Sequence, residues 1–164
     1  MITVRDMNRS DVDSIREIAA VTWKNTYSEI IPKEIQAKVL NDAYSDGEMD
    51  KRLNSSLMLV AESKDEITGY AFFSGDLYKK NIYLESLYIH PNFQGQGIGR
   101  QLLNIGVNKF SDPWNLSLTV YKGNPNISFY EKEGFKITKE NNGDFYGHPM
   151  IFTVMTKDLK NHCS

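Results

Sequence analysis

Residues Tyr83 to Leu103 read YLESLYIHPNFQGQGIGRQLL. An apolar run rich in β-forming residues ends at His90-Pro91, and a glycine-rich turn from Gln94 to Gly99 follows it. Apolar residues then recur at helical spacing, so the pattern predicts a strand, a tight turn and a helix in that order. Glycines let backbone amides come close together, and the start of a helix carries about half a positive charge. The stretch therefore predicts a site for a phosphate or a pyrophosphate.

The composition predicts a single domain over residues 1–164, because 164 residues with 40% hydrophobic side chains suit one core. A net charge of -2 argues against a dedicated nucleic-acid binder. The absence of an 18-residue apolar run argues against a membrane span, and the first residues resemble a strand rather than a signal peptide. The single cysteine, Cys163, forms no internal disulfide. These features predict a cytoplasmic protein.

Hydrophobic periodicity predicts an α/β or α+β fold, with helices on the faces of a sheet. Residues 57–61 and 67–73 are predicted to form a hairpin, whereas residues 45–50 and 141–144 are predicted to be polar loops. The predicted strands are 2–4, 57–61, 67–73, 82–89, 116–120, 135–138 and 150–155, and the predicted helices are 12–23, 32–43, 98–110 and 127–132.

Two familiar glycine-rich motifs do not fit the turn. A P-loop needs a lysine and then Ser or Thr after its last glycine, but Arg100 and Gln101 follow Gly99. A dinucleotide-binding fingerprint follows the first strand of its fold, whereas this turn comes after four predicted strands. The anion must therefore belong to another class of ligand.

Three blocks resemble the GNAT acyltransferase superfamily, and the order of predicted elements extends the resemblance over nearly the whole chain. The blocks are LYIHP at 87–91, QGQGIG at 94–99, and Asn124-Pro125 together with FYEKEGF at 129–135. The resemblance implies a GNAT fold, with a central mixed, mostly antiparallel twisted sheet of about seven strands flanked by about four helices. It also implies an N-acetyltransferase that uses acetyl-CoA. The sequence has no histidine–carboxylate set with metal-ligand spacing, so we expect no metal.

The resemblance also implies which residues bind acetyl-CoA. Backbone amides of the glycine turn would hold the pyrophosphate, and the strand before the turn would pair with the pantetheine arm, next to a bulge that splays it from its neighbour. Asn124 would touch the cofactor, although capping of the next helix explains it equally well. The implied residues are Leu87, Tyr88, Ile89, Gln94, Gly95, Gln96, Gly97, Ile98, Gly99, Arg100 and Asn124.

Two residues are expected to carry the chemistry. Tyr130 matches the family's tyrosine that protonates the departing thiolate, and the alternative is a tyrosine packed in the core beside Phe129. Glu85 is the expected base for the acceptor amine, directly or through water, and the alternative is a pairing with a lysine or a tyrosine hydroxyl. Regular alternation places Glu85 and Leu87 on the same face of their strand.

The sequence says less about the acceptor pocket than about the acetyl-CoA site. Trp23 and Tyr27 are expected at the rim of the acceptor pocket, with aromatic packing between helices as the alternative. His90 is expected to be structural. Other candidates for the pocket are Asp42, Asp46, Glu48 and Asp50, and the loop residues Phe145, Tyr146 and His148.

We expect a small-molecule amine acceptor, with a polyamine such as spermidine as one candidate. A protein N-terminus or lysine is the alternative within the enzyme class, and a CoA-binding sensor without catalysis is the alternative from another class. A homodimer through the final strands is common in the resembled family.

Overall fold

The computed structural model describes residues 1–75 and 80–160, which excludes part of the predicted connection at 75–80 and Cys163. These residues form seven strands and five α-helices, one helix more than expected. The strands are β1 (Thr3–Asp6), β2 (Leu57–Ser63), β3 (Glu66–Ser74), β4 (Asn81–Ile89), β5 (Asn115–Tyr121), β6 (Lys136–Phe145) and β7 (His148–Asp158). The helices are α1 (Val12–Tyr27), α2 (Lys33–Ala43), α3 (Asp46–Ser55), α4 (Ile98–Asn108) and α5 (Ile127–Lys132).

The strands form one sheet in the order β1-β2-β3-β4-β5-β7-β6. Every neighbouring pair is antiparallel except β4 and β5, which run parallel. The mixed, mostly antiparallel sheet confirms the predicted fold class. Every helix in the described part of the chain is too short or too polar to cross a lipid bilayer.

Strands β2 and β3 divide their side chains between two cores. Leu59 and Phe73 pack with Leu102 of α4 on one face, whereas Val60 and Phe72 pack with α1 on the other. Successive side chains of a strand point to opposite faces, so two strands that are buried on both sides read as continuous apolar runs. Burying each large apolar side chain contributes about 1.5–3 kcal/mol, which makes these strands the centre of the fold.

Helix α3 occupies the segment where we expected a polar loop, so that expectation is wrong. The Ser45 side chain accepts a hydrogen bond from the Glu48 amide and caps the helix. Asp46 and Glu48 lie in the first turn, where negative charges are favoured by the helix dipole. Met49 is the only fully buried residue of α3, and Leu53 packs partly buried against the same core, so this helix showed too few apolar residues for its periodicity to be recognised.

The last hairpin is longer than expected, because residues 141–144 belong to β6 and are not a loop. The chain turns at Tyr146 and Gly147, which both have positive φ, at 51° and 87°. Phe145 ends β6 and His148 begins β7, so these two are strand residues and only Tyr146 lies in the turn. β6 is an exposed edge strand, so its polar residues stay in contact with water at no desolvation cost. Because they are polar along the whole strand, the alternation of apolar and polar residues that identifies a strand is missing.

Candidate active site

A bulge in β4 opens the sheet at its centre. Phe72 of β3 lies opposite Ser86 and Phe73 lies opposite Leu84, so Glu85 is an extra residue without a partner on β3. β4 pairs with β5 only over Asn81–Tyr83, although both strands are described in full. The bulge and the splay that the resemblance implied are both present, and the β5 side of β4 is free to pair with a ligand.

The bulge also overturns the predicted alternation along β4. Leu84 and Leu87 pack in the same core, together with α4. Glu85 faces Arg52, and the Ser86 hydroxyl lies 3.4 Å from the hydroxyl of Tyr44, which belongs to the opposite core. One inserted residue moves every following side chain to the other face, so Glu85 and Leu87 do not share a face.

The glycine turn presents a row of backbone amides without acceptors. Gly95 and Gly97 have positive φ, at 81° and 78°, and α4 begins at Ile98 with no side-chain cap. Within the described residues, the amides of 95–100 donate to no protein group, and the Gln101 amide is the first that bonds back, to the Gly97 carbonyl at 3.1 Å. No atom lies within 4 Å of where a Cβ would stand at either glycine, so the approach is open. These donors fit a pyrophosphate.

A cavity of about 660 Å³ runs from the glycine turn along β4 to α5. Nine of the expected cofactor residues line it: Leu87, Tyr88, Ile89, Gln94, Gly95, Gly97, Ile98, Gly99 and Arg100. Gln96 and Asn124 do not line it. The lining residues that sequence reasoning missed are Thr22, Asn25, Thr26, Phe93, Pro125, Asn126 and Phe129. The polar residues Asn25 and Thr26, near the end of the amphipathic helix α1, were the one sequence feature that could have indicated that this helix lines the cavity.

A smaller cavity of about 50 Å³ lies in the gap between β4 and β5. Glu85, Tyr27 and Asn124 line it. The residues that it shares with the larger cavity are Thr26, Leu87, Tyr88, Asn126 and Tyr130. Tyr130 therefore stands at the junction of the two cavities, with Glu85 on the far side of the smaller one.

The Tyr130 side chain is 7% exposed and packs edge-on against Phe129 and Phe135, with ring centroids at 5.3 and 5.5 Å. Its hydroxyl bonds to no group within the described residues. Burial, followed by the neighbouring Tyr27, raises the pKa of Tyr130, so the phenol stays protonated at neutral pH. Tyr130 is thus both packed in the core and able to donate a proton into the cavity.

The Glu85 carboxylate has an arginine partner, not the lysine or tyrosine expected as its alternative. Its Oε1 lies 3.9 Å from Nη2 of Arg52, on α3, and its side chain is 26% exposed. Because Glu85 also lines the smaller cavity, its charge is compensated on one side and open to a ligand on the other.

The two aromatic residues of α1 have different positions. Trp23 lines neither cavity, and its Nε1 donates to the Tyr88 hydroxyl at 3.0 Å. Tyr27 packs against Trp23 in a tilted arrangement, with ring centroids 4.4 Å apart, and lines the smaller cavity. Burial raises the pKa of Tyr27 and of Tyr88, so both hydroxyls are neutral donors or acceptors. Trp23 acts on the site by fixing Tyr88, whereas Tyr27 forms its wall.

Asn124 stabilises the turn before α5, since its Oδ1 accepts from the Asn126 amide at 2.7 Å, but the N-cap position of α5 is Asn126 and has no side-chain cap. Arg100 is 70% exposed and pairs with Glu133 at 3.5 Å. Gln94 ties the turn to β4 by donating to the Ile89 carbonyl at 3.3 Å. His90 is structural as expected, because its Nδ1 accepts from the Asn92 amide.

The remaining acceptor candidates, Glu48 and Phe145 included, line neither cavity, and most of them are engaged in contacts of their own. Asp46 pairs with Arg16 at 2.8 Å, and Asp50 pairs with Arg9. Asp42 accepts from the Tyr146 hydroxyl. This contact between Tyr146 and Asp42 ties the tip of the β6–β7 hairpin to α2. His148, at the base of that tip, bonds through Nε2 to the Ile30 carbonyl.

Comparison with known proteins agrees with this geometry. The family model described as an acetyltransferase (GNAT) domain matches residues 24–159. The chain is 27% identical to the uncharacterized N-acetyltransferase YuaI of Bacillus subtilis, covering 90% of this chain and 87% of that one. It is 24% identical to a spermidine N(1)-acetyltransferase of Thermoplasma acidophilum, covering 88% and 94%. The crystal structure of the PaiA N-acetyltransferase of T. acidophilum in complex with coenzyme A superimposes with a TM-score of 0.78, at 25% identity and 96% and 99% coverage.

Proposed function

The chain belongs to the GNAT acetyltransferase family, and from this premise we propose that it moves an acetyl group from acetyl-CoA to a primary amine of a small molecule. The transfer is a direct attack with both substrates bound. The observation that carries the proposal is the junction of the two cavities at Tyr130, with Glu85 lining the smaller cavity in the gap between β4 and β5.

The larger cavity binds acetyl-CoA, which supplies an acetyl group activated as a thioester. The free amides of 95–100 hold the pyrophosphate, and Arg100 adds positive charge at the rim. Residues 87–89 of β4 hydrogen-bond the pantetheine arm in the manner of an added strand. Phe129 closes the wall, and it packs against Gly99 so closely that a Cβ there would lie 3.3 Å from its ring.

Three groups of the chain carry the chemistry. Glu85 accepts a proton from the amine, directly or through one water, so that the nitrogen lone pair can form the new C–N bond. Backbone amides near Leu87 stabilise the negative charge that develops on the carbonyl oxygen. Tyr130 donates a proton to the sulfur as the C–S bond breaks, and bulk water restores it. The products are the N-acetylated amine and CoA.

The acceptor enters from the side of the smaller cavity, which is lined by Glu85 and the aromatic ring of Tyr27. An ammonium group is attracted both to a carboxylate and to an aromatic face. The likeness to a spermidine acetyltransferase favours a polyamine as the first acceptor to test. The small volume of this cavity favours a slender alkylamine over a bulky acceptor.

Thiol release from acetyl-CoA with a panel of amines tests the proposal. The panel contains spermidine, simple alkylamines, amino acids, a lysine peptide and a peptide with a free N-terminus. We expect turnover with a small amine, and spermidine among the best acceptors. Turnover confined to the peptides would reassign the acceptor to a protein, and tight acetyl-CoA binding without turnover of any amine would make the chain a sensor.

We also propose that residues 1–164 work as one domain in the cytoplasm and assemble as a homodimer through the final strands. Sedimentation velocity at assay concentration checks the assembly, and a monomer under all conditions contradicts it.

A further inference from the structure

Arg52 occupies an unusual position beneath the bulge. It lies in the last turn of α3, and its side chain is only 15% exposed. Its guanidinium stands over the rings of Tyr44 and Phe72, at 5.5 and 5.4 Å from their centroids. Its Nη2 lies 3.9 Å from Glu85 Oε1. Two aromatic faces and one carboxylate therefore define where this cation sits.

The arrangement is costly for stability alone. Nη1 of Arg52 is buried and has no hydrogen-bond partner, the only such side-chain nitrogen or oxygen found within the described residues. Leaving a buried donor unpaired costs free energy, and a buried ion pair is often no more stable than apolar residues of the same volume. A core optimised only for packing would not keep an arginine here.

The position makes sense in relation to the bulge. The Arg52 guanidinium lies over the ring of Phe72. Phe72 lies opposite Ser86, which directly follows the extra residue Glu85. Tyr44, the second ring, reaches the Ser86 hydroxyl. Arg52 thus contacts β3 at the bulge, through the ring of Phe72, and lies beside the side chain of the extra residue, Glu85.

We propose that Arg52 is a positioning residue that holds the Glu85 carboxylate at the reaction centre. The inference rests on the proposed role of Glu85 as the proton acceptor and adds a residue that touches no substrate. Glu85 is the bulged residue, without a partner on β3, so its side chain relies on Arg52 to keep one orientation. The pair also keeps the charge of Glu85 compensated until an ammonium group enters and shares the carboxylate.

A double-mutant cycle tests this role. The variants are Arg52→Met, Glu85→Gln and their combination, with Arg52→Lys to restore the charge. Arg16→Met is the matched control, because Arg16 also ties α3 by an ion pair, to Asp46, but makes no contact with Glu85. For each variant, kcat with the best amine, the Kd for acetyl-CoA and the urea unfolding curve are measured.

We expect Arg52→Met to lower kcat about tenfold in the wild-type background and less than about twofold in the Glu85→Gln background. The Kd for acetyl-CoA stays within about twofold, because Arg52 lines neither cavity. Arg52→Lys recovers part of kcat, and Arg16→Met leaves it unchanged. A purely structural role would not produce this dependence on Glu85.

Equal losses of kcat in both backgrounds would overturn the proposal, since Arg52 would then act through Tyr44 and Phe72 alone. If the wild-type chain turns over no amine, the proposed function fails, and the unfolding cycle still decides whether the two residues interact. Additive changes in unfolding free energy would overturn the contact itself. If Arg52→Met does not fold, the same cycle is measured with Arg52→Lys.

Discussion

Removing the hydroxyl of Tyr130 separates its chemical role from its packing role. The hydroxyl bonds to no group within the described residues, so Tyr130→Phe breaks no internal hydrogen bond and keeps the ring contacts with Phe129 and Phe135. The free energy of unfolding should therefore change by less than about 1 kcal/mol. A lost general acid should lower kcat by about 10²–10⁴-fold, which corresponds to about 2.7–5.4 kcal/mol of barrier.

The assay is single-turnover thiol release, which reports the chemical step even when product release limits steady-state turnover. Calorimetry gives the Kd for acetyl-CoA, which should stay nearly constant because the ring remains in the cavity wall. Tyr121→Phe is the matched control, because Tyr121 is also a buried tyrosine with a raised pKa but lines neither cavity. A single-turnover rate for Tyr130→Phe within about threefold of the wild type would refute the proton-donor role.

The direction of the pKa shift adds a second check on the same residue. Burial raises the pKa of Tyr130 above the ordinary value of 10.0, so the phenol keeps its proton where a free tyrosine begins to lose it. The single-turnover rate should consequently show no alkaline decline that depends on Tyr130 up to about pH 10. A decline near pH 8 that disappears in Tyr130→Phe would contradict the assigned environment.

The remaining predictions concern stability and are measured by urea unfolding. Gly106→Ala should destabilise the fold by about 1–3 kcal/mol, because the new Cβ would stand 2.3 Å from the buried ring of Phe73. Gly47 lies in α3, and a Cβ added there would have no atom within 4 Å, so Gly47→Ala should stabilise the fold by about 0.5–1 kcal/mol. An equal effect of the two substitutions on the free energy of unfolding would contradict the packing of α4 against Phe73. The hydrogen bonds from Arg5 lower the pKa of Asp11, so this carboxylate stabilises the fold above its unfolded pKa of 3.8 and loses that effect as the pH falls through the lower folded value. The difference in stability between wild type and Asp11→Asn should shrink between pH 7 and pH 3, and a constant difference would contradict the linkage.

The glycine turn and its helix were predictable because their physics is local. Gly95 and Gly97 adopt positive φ, a conformation that glycine enters without strain, and the apolar residues of α4 follow at helical spacing. The same holds for α5, whose bounds at Ile127–Lys132 are those predicted. Where a few consecutive residues determine the structure, the sequence pattern was sufficient.

The missed features depend on contacts between distant segments. α3 is held by only two apolar residues, Met49 and Leu53, and by a serine cap, so its composition resembles that of a polar loop. β6 is an edge strand that pairs with β7 along nearly its whole length, and its exposed residues show no apolar alternation. Neither element presents the stripe of apolar residues on which periodicity depends.

The cavity was predictable only on one side for the same reason. The motif residues of β4 and the glycine turn were identified, but Asn25 and Thr26 line the cavity because α1 crosses β4, and no local pattern fixes that crossing. Arg52 was likewise hidden, since its helix was expected to be a loop and its partner Glu85 belongs to another part of the chain.

The bulge at Glu85 connects the fold to the chemistry. Leu84 packs against α4, so a regular β4 would turn Glu85 and Leu87 together to the opposite face, and Leu87 would be lost from the α4 core. The extra residue instead lets Glu85 face Arg52 while Leu87 returns to the α4 core. The same irregularity lies where β4 separates from β5, so one inserted residue connects the backbone proposed to receive the donor with the carboxylate proposed to receive the proton. Deletion of one residue at this position should therefore abolish activity more completely than Glu85→Gln, because it closes the gap as well as removing the base.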